Sequence, residues 1–295
     1  MPFISASAIS PYNSIRGGGA EGGAALLLDL YPDAAAAYSL TYLKSSFIGN
    51  PVIRVRRSSD NEEQDFTPIQ ITDGTLTAFT GVGDGFVTTV NGQSIMPNLI
   101  QPSDSFQPKI VSNGVLYLGK NNLPAIKFDG VDDFMYVDEP SISVNSDYSM
   151  FFVIEPIADL VNTEVIVSYG RTLNSRYIGI SPFYSGSLIF NNTGYGSSVQ
   201  DSFNISMEDK PYLISSISTN NASSITHYVD GQTGAGPNTA ISAAVGPDRF
   251  QVGNGNRGTE GQYSGLFQSC VLFKSDQSAN RAGIEANINN HYTIY

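Results

Sequence analysis

Met150-Phe151-Phe152-Val153-Ile154 is apolar at every position. A strand with one face in water alternates apolar and polar residues, whereas an unbroken apolar run is covered on both faces. The stretch predicts a central strand over 150–157, and the rest of the chain must then cover it from two sides. Outward from it the sequence breaks into short runs of similar character. Val52-Ile53-Arg54-Val55-Arg56-Arg57 alternates as a strand does. Further strands are predicted at 86–90, 125–128, 164–169, 177–180, 187–190, 212–217, 225–229, 250–252 and 266–273, with Gly, Asn, Asp and Pro between them. Many short strands separated by turn residues point to an all-β sandwich or jelly roll.

A few segments break this pattern. Leu26-Leu27-Leu28-Asp29-Leu30 reads as a buried strand or turn entry. Asp33 stands before Ala34-Ala35-Ala36-Ala37, a good N-cap ahead of the best helix former. With Tyr38, Tyr42 and Leu43 on one face, the spacing predicts a helix over 34–46, ended by Gly49-Asn50-Pro51. A second helix is predicted over 278–289, where Ala282, Ile284, Ala286 and Ile288 are apolar.

Composition narrows the function. A chain of 295 residues buries a large core, and one sandwich domain can run this long. Hydrophobic residues make up 41%, which excludes a disordered chain. Fifteen basic residues against 27 acidic ones give a net charge of −12, so neither nucleic acid nor an anionic membrane is an expected partner. Cys270 is the sole cysteine and reads as an inert buried thiol; it leaves no disulfide and no cysteine-based zinc site. His227 and His291 are too far apart for a histidine-pair metal motif. The start, Met1-Pro2-Phe3-Ile4-Ser5, has no basic region followed by an apolar one, so no secretory signal is expected.

The first 25 residues differ from the remainder. A polar, mixed stretch ends in Gly17-Gly18-Gly19-Ala20-Glu21-Gly22-Gly23, a hinge by composition. Residues 1–25 are read as an N-terminal anchoring arm, with Phe3, Ile4, Ile9, Tyr12, Ile15 and Arg16 as its contact residues, and residues 26–295 as the sandwich domain.

Three segments, in this order along the chain, carry a resemblance. They are Tyr31 to Leu40 followed by Arg54 to Asp60; Gln93-Ser94 followed by Asn98-Leu99-Ile100-Gln101; and Phe128-Asp129-Gly130-Val131-Asp132-Asp133-Phe134. Together with Tyr228-Val229-Asp230-Gly231 they resemble bacteriophage virion proteins related to the catalytic domain of α-L-arabinofuranosidase B. The resemblance spans roughly residues 26–292 and implies a concanavalin-A-like (laminin-G-like) β-sandwich with a few short helices and an extended N-terminal arm. Enzymes of that family use two carboxylates and retain configuration. Where they carry the nucleophile, this chain has Tyr169-Gly170-Arg171-Thr172-Leu173-Asn174-Ser175-Arg176; where they carry the acid, it has Val252-Gly253-Asn254-Gly255-Asn256-Arg257. Neither segment holds a carboxylate, and Gly92 replaces the acidic residue of an Asp-Gln-Ser signature before Gln93-Ser94.

The resemblance thus implies a retained fold without hydrolase chemistry: a non-enzymatic virion component (decoration, fibre or tail-associated), located in the particle and held to other virion proteins by the arm as a homo-oligomer. The alternative is a receptor-binding lectin for a host surface glycan, with Tyr184, Asn191, Asn192, Tyr195 and Tyr263 in Gly/Ser/Asn-rich loops as sugar contacts. An active glycosidase ranks last, with Glu164, Asp201 and Asp230 as spare carboxylates. No cofactor is expected. Asp129, Asp132 and Asp133 could offer oxygen ligands to Ca²⁺, or simply bond their own turn. Arg54, Arg56 and Arg57 with Lys44 form the sole basic cluster, expected to pair with Asp60, Glu62, Glu63 or Asp65 rather than to hold an anion.

Overall fold

The computed structural model describes residues 25–138, 147–157, 166–171, 176–184, 188–194, 197–203, 210–219, 224–234, 238–239, 249–254 and 262–295. Strands dominate and pair antiparallel, and the short helices lie outside them. The predicted all-β sandwich is the observed fold.

Ser264–Phe273 is the axis of the first layer. Along one edge it pairs with Tyr148–Pro156; along the other it pairs first with Ile126–Asp129 and then with Ala34–Ser39. Tyr148–Pro156 continues to Tyr212–Thr219, and that strand to Ser224–Val229. From Ile126–Asp129 the ladder turns through Lys109–Ser112 and Gly85–Val90 into the second layer. That layer runs through Leu99–Ile100, Met135–Asp138, Arg249–Val252, Val167–Arg171 and Arg176–Tyr184. Ile53–Arg57 and Glu63–Phe66 extend Gly85–Val90 on its other edge.

The all-apolar stretch has the two covers that it requires. Met150, Phe152 and Ile154 point into the main core between the layers, where Phe250 and Val252 meet them and the rings of Tyr38 and Phe250 stack at 6.0 Å. Phe151 and Val153 point the other way, into a second core with Leu213, Ile217, Val271 and Phe273. Ile284, Ile288 and Tyr292 of the helix Arg281–Tyr292 close that face, with Leu27 and Leu28 of the helix Leu27–Leu30. Each of these fully buried Phe, Ile or Leu side chains contributes about 1.5–3 kcal/mol.

Three expectations are corrected. Ala34 to Ser39 is a strand and not the start of a helix; all six residues are buried, and Tyr38 lies opposite Cys270. Alanine fits there because the strand is covered on both faces at close quarters, and tertiary packing overrides helix propensity. Asp33 has φ +72 and turns the chain instead of capping a helix. Leu27–Leu30 forms a short helix, where residues 26–30 read as a buried strand or turn entry. The C-terminal helix lies three residues further on than predicted, at Arg281–Tyr292, and buries Ile284, Glu285, Ile288 and Tyr292 while Ala282 and Ala286 face out. Cys270 is fully buried as expected, and burial raises its pKa.

Candidate functional site

The strands Ile126–Asp129 and Met135–Asp138 are joined by the loop Gly130-Val131-Asp132-Asp133-Phe134. Asp129 organises it: its Oδ1 accepts from the backbone N–H of Val131 (2.8 Å), Asp132 (3.2 Å) and Asp133 (3.4 Å). In return Asp133 Oδ2 accepts from the N–H of Asp129 at 3.0 Å. Gly130 takes φ +78, and a side chain there would meet Ser264. This is the Asp turn expected from the sequence.

The turn also brings three carboxylates together, each with an oxygen within 4.8 Å of the others. They differ in exposure: Asp129 faces solvent, whereas Asp133 is only 7% exposed. Burial is the main cause that lifts the Asp133 pKa to about 7, and the charges of Asp129 and Asp132 add to it. The N–H of Asp129 works in the opposite direction without cancelling it. Asp133 is therefore a carboxylic acid over most of the acidic range, next to a second carboxylate. As oxygen donors for Ca²⁺ the three carboxylates would be part of the six to eight ligands the ion takes, and Asp129 and Asp133 each also accept from backbone N–H groups.

Asp129 and Asp133 line a cleft of about 390 Å³ together with Asp104, Lys109, Lys127, Tyr117 and Phe86. Lys109 and Lys127 are direct partners across two antiparallel strands. Lys109 Nζ is held by Asp84 at 2.8 Å, a hydrogen bond that raises its pKa, and lies 5.3 Å from the Phe86 ring centre. The Arg56 guanidinium lies 4.6 Å from the same ring and donates to Gln107 at 2.8 Å. The ring of Phe134, at the end of the loop, lies 5.6 Å from that of Phe106 and 5.9 Å from that of Tyr136.

The other sequence candidates fall elsewhere. Tyr263 does not stand in a loop open to sugar: it is fully buried, its hydroxyl donates to the Leu266 carbonyl at 3.0 Å, and its ring fills the space that Gly265 leaves. Tyr184 ends the strand Arg176–Tyr184, and Asn191 and Asn192 lie inside Leu188–Gly194, so the backbone at these positions is strand and not loop. Tyr195 and the arm residues Phe3, Ile4, Ile9, Tyr12, Ile15 and Arg16 lie outside the described residues, as do Glu164 and residues 172–175. Asp230 holds a hairpin, accepting from Leu213 N–H at 3.0 Å and from Lys210 at 3.2 Å. The arginines pair as expected for two of three: Arg54 with Glu63 and Asp65, and Arg57 with Asp60. Arg56 is instead buried and pairs with Asp104 at 3.6 Å. Gln93, of the broken signature, is a structural tie that accepts from Leu43 N–H and donates to Thr41.

Asn254 is buried, its carbonyl accepting from Ser168 at 2.9 Å. It follows Gly253, which packs so tightly on Phe128 and the Asp133 backbone that an added Cβ would stand 2.4 Å from the Phe128 ring. The segment where the resembling enzymes carry their acid thus lies directly against the Asp129–Asp133 loop.

No family model matches the chain, and no curated protein sequence matches it. Solved structures do. An arabinofuranosidase complexed with arabinofuranosyl-α-1,2-xylobiose superposes with a TM-score of 0.59 at 14% identity, over 89% of this chain and 64% of that one. A glycoside-hydrolase family 54 α-L-arabinofuranosidase soaked with a cyclic sulfate inhibitor gives a TM-score of 0.58 at 14% identity with the same coverage. At this identity the likeness establishes the fold, and the chain spans 64% of the length of those proteins. The reading as a non-enzymatic virion component is corrected here: the two structures that share this fold over 89% of the chain are arabinofuranosidases, and nothing in the comparisons points to a bacteriophage particle. What the resemblance implied correctly is the arabinofuranosidase-like β-sandwich.

Proposed function

We propose that the protein processes carbohydrate, cleaving a glycosidic bond in the cleft walled by Asp129 and Asp133. The observation that carries this reading is the carboxyl pair itself: a buried Asp133 protonated up to about pH 7 and an exposed Asp129, with oxygens within 4.8 Å. Glycoside hydrolysis needs one carboxyl that still holds its proton and a second that is free to attack or to activate water. Asp133 supplies the proton to the leaving oxygen. Asp129 is exposed and keeps its loop with Oδ1, and in this reading its Oδ2 is the oxygen that attacks the anomeric carbon. An approach within 4.8 Å is closer than the ~6.5–9.5 Å at which an inverting pair makes room for its water, so the reading is that of a retaining pair. Support also comes from position: the 252–257 segment, which holds an amide and no carboxylate, packs through Gly253 on Phe128 and on the Asp133 backbone. The arabinofuranosidase-like fold agrees with the reading.

The test is hydrolysis of a panel of 4-nitrophenyl glycosides, beginning with the α-L-arabinofuranoside, by the wild type and by Asp133→Asn. The expected result is turnover that falls as pH rises through about 7 and a loss of about 10²–10⁴-fold in kcat in the variant. Turnover that Asp133→Asn leaves intact, or no turnover across the panel, would overturn it.

A further inference from the structure

A carboxyl pair acts on a bond, but the cleft must also hold the sugar that carries the bond. The side chains lining the cavity differ in how far their own neighbours engage them. Asp104 pairs with Arg56 at 3.6 Å, Lys109 is held by Asp84 at 2.8 Å, and Lys127 is engaged as well. Asp129 and Asp133 are bonded to their own turn. Phe86 has the Arg56 guanidinium over its ring at 4.6 Å and the Lys109 ammonium at 5.3 Å. Of the side chains left, Ser105 is a small exposed hydroxyl and Tyr117 is an aromatic ring. Among the described residues the Tyr117 ring has no aromatic or cationic partner and its hydroxyl makes no hydrogen bond; Lys109 acts on it through space alone. The backbone beneath it is fixed all the same. Its N–H donates to Ile110 at 2.9 Å, its carbonyl accepts from Ala125 at 3.0 Å, and Leu118 and Pro124 bridge the loop that follows.

We propose that Tyr117 is the residue that binds the sugar unit of the substrate: its ring lies against the C–H face of the sugar and its hydroxyl meets a sugar hydroxyl. A tyrosine offers this double contact because its body is apolar and its tip polar. Small-molecule sites take most of their hold from such aromatic area and their orientation from a few polar groups. The charged groups of the wall are taken by protein partners, so a ring and a hydroxyl are what the cleft has left to offer a ligand. Tyr117 is half-buried, which leaves part of the side chain open to the cavity. Its fixed backbone lowers the cost of ordering it against the sugar. It also stands apart from the acids, in the segment between the strands Val115–Leu116 and Ile126–Asp129, so it can hold the sugar without disturbing the turn that sets Asp133. This inference rests on the carbohydrate reading of the site and adds the residue that grips the substrate.

The experiment makes two measurements on the full chain, with Tyr117→Ala and Tyr117→Phe beside the wild type. One is steady-state hydrolysis of the 4-nitrophenyl glycosides. The other is equilibrium binding of the corresponding methyl glycosides, beginning with methyl α-L-arabinofuranoside, to Asp133→Asn protein with and without the Tyr117 changes. The methyl glycosides carry no aromatic group, so they report on the sugar alone. Tyr117→Ala is expected to raise KM and to weaken methyl-glycoside binding by at least about tenfold, because it removes a contact made in the ground state and the transition state alike. Tyr117→Phe keeps the ring and should lose less. Both variants should melt like the wild type and keep the fall in turnover through about pH 7, since the Asp133 turn is untouched. Unchanged KM and binding in Tyr117→Ala, or a loss confined to kcat, overturn the assignment, and turnover by the wild type then leaves the carbohydrate reading standing. A rise in KM for the nitrophenyl glycosides with methyl-glycoside binding unaltered also overturns it, since Tyr117 would then grip the leaving group. The binding measurement decides Tyr117 even where nothing is cleaved. A wild type that cleaves none of the panel, with no methyl glycoside bound, removes both readings.

Discussion

At the scale of single residues, Asp133 ties the site to stability. Its pKa is raised in the folded protein, from the ordinary 3.8 to about 7, mainly by burial. Between those values the folded state holds a proton that the unfolded state has released, so the proton-binding difference makes stability fall as pH rises. The contribution is fully present below about pH 4 and is lost as pH climbs through about 7. Each pKa unit corresponds to about 1.4 kcal/mol, so the slope is measurable by urea denaturation at pH 4, 5, 6 and 7. Asp133→Asn should flatten this part of the profile, and a variant with the wild-type slope would show that another group is responsible. The Asp-Gly-Val-Asp-Asp string exposed the carboxylates in sequence, because Asp and Gly in that order make a turn by local chemistry alone. It could not reveal the two lysines. Lys109 and Lys127 meet only through strand pairing across 18 positions, and register is a tertiary property. Tyr263 misled for a related reason: its Gly- and Ser-rich surroundings look like a loop, yet Gly265 is there to admit the ring.

At the scale of elements, most strands were legible because alternation or continuous apolarity marks which faces are covered. Ala34–Ser39 was not legible, since four alanines favour a helix wherever nothing else acts on them. In the fold they are pressed between the two cores: Ala35 and Ala36 pack in one and Ala34 and Ala37 in the other. The helices Pro68–Thr72 and Thr75–Thr80 are too short to show a period, although Thr67 and Gln70 form a capping box around Pro68. The alanine strand yields a direct test. Ala36 is fully buried, and Ala36→Leu adds volume where the neighbouring strand leaves none, which costs about 1–3 kcal/mol despite the added hydrophobicity. The half-exposed Ile69 serves as the control, because Ile69→Ala should stay within about 0.5 kcal/mol. Chemical denaturation of the two variants decides it; a stabilised Ala36→Leu would mean that the two cores leave space around this strand.

At the scale of the whole molecule, one strand serves both cores. Successive residues of Tyr148–Pro156 alternate between the core under the second layer and the core under the helix Arg281–Tyr292. The helix is further tied to the sheet by polar contacts: Glu285, buried, accepts from Ser215 at 2.7 Å and from Arg281, and Tyr292 and Ser39 share a hydrogen bond at 2.9 Å. Loss of the helix would bare Phe151, Val153, Leu213, Ile217, Val271 and Phe273 to water at once, so the sheet cannot persist in its present form without it. The two cores should therefore unfold together. Ile284→Ala truncates a fully buried side chain at the centre of the helix contact and should cost about 2–5 kcal/mol. The decisive reading is whether the transition stays single. Melting followed by the far-ultraviolet signal of the backbone and by the near-ultraviolet signal of the tyrosines should give coincident curves in the wild type and in Ile284→Ala, both shifted to lower temperature in the variant. An early transition confined to the helical signal would mean that the helix is an independent cover, and that the main core, with the carboxylate cleft at its edge, stands without it.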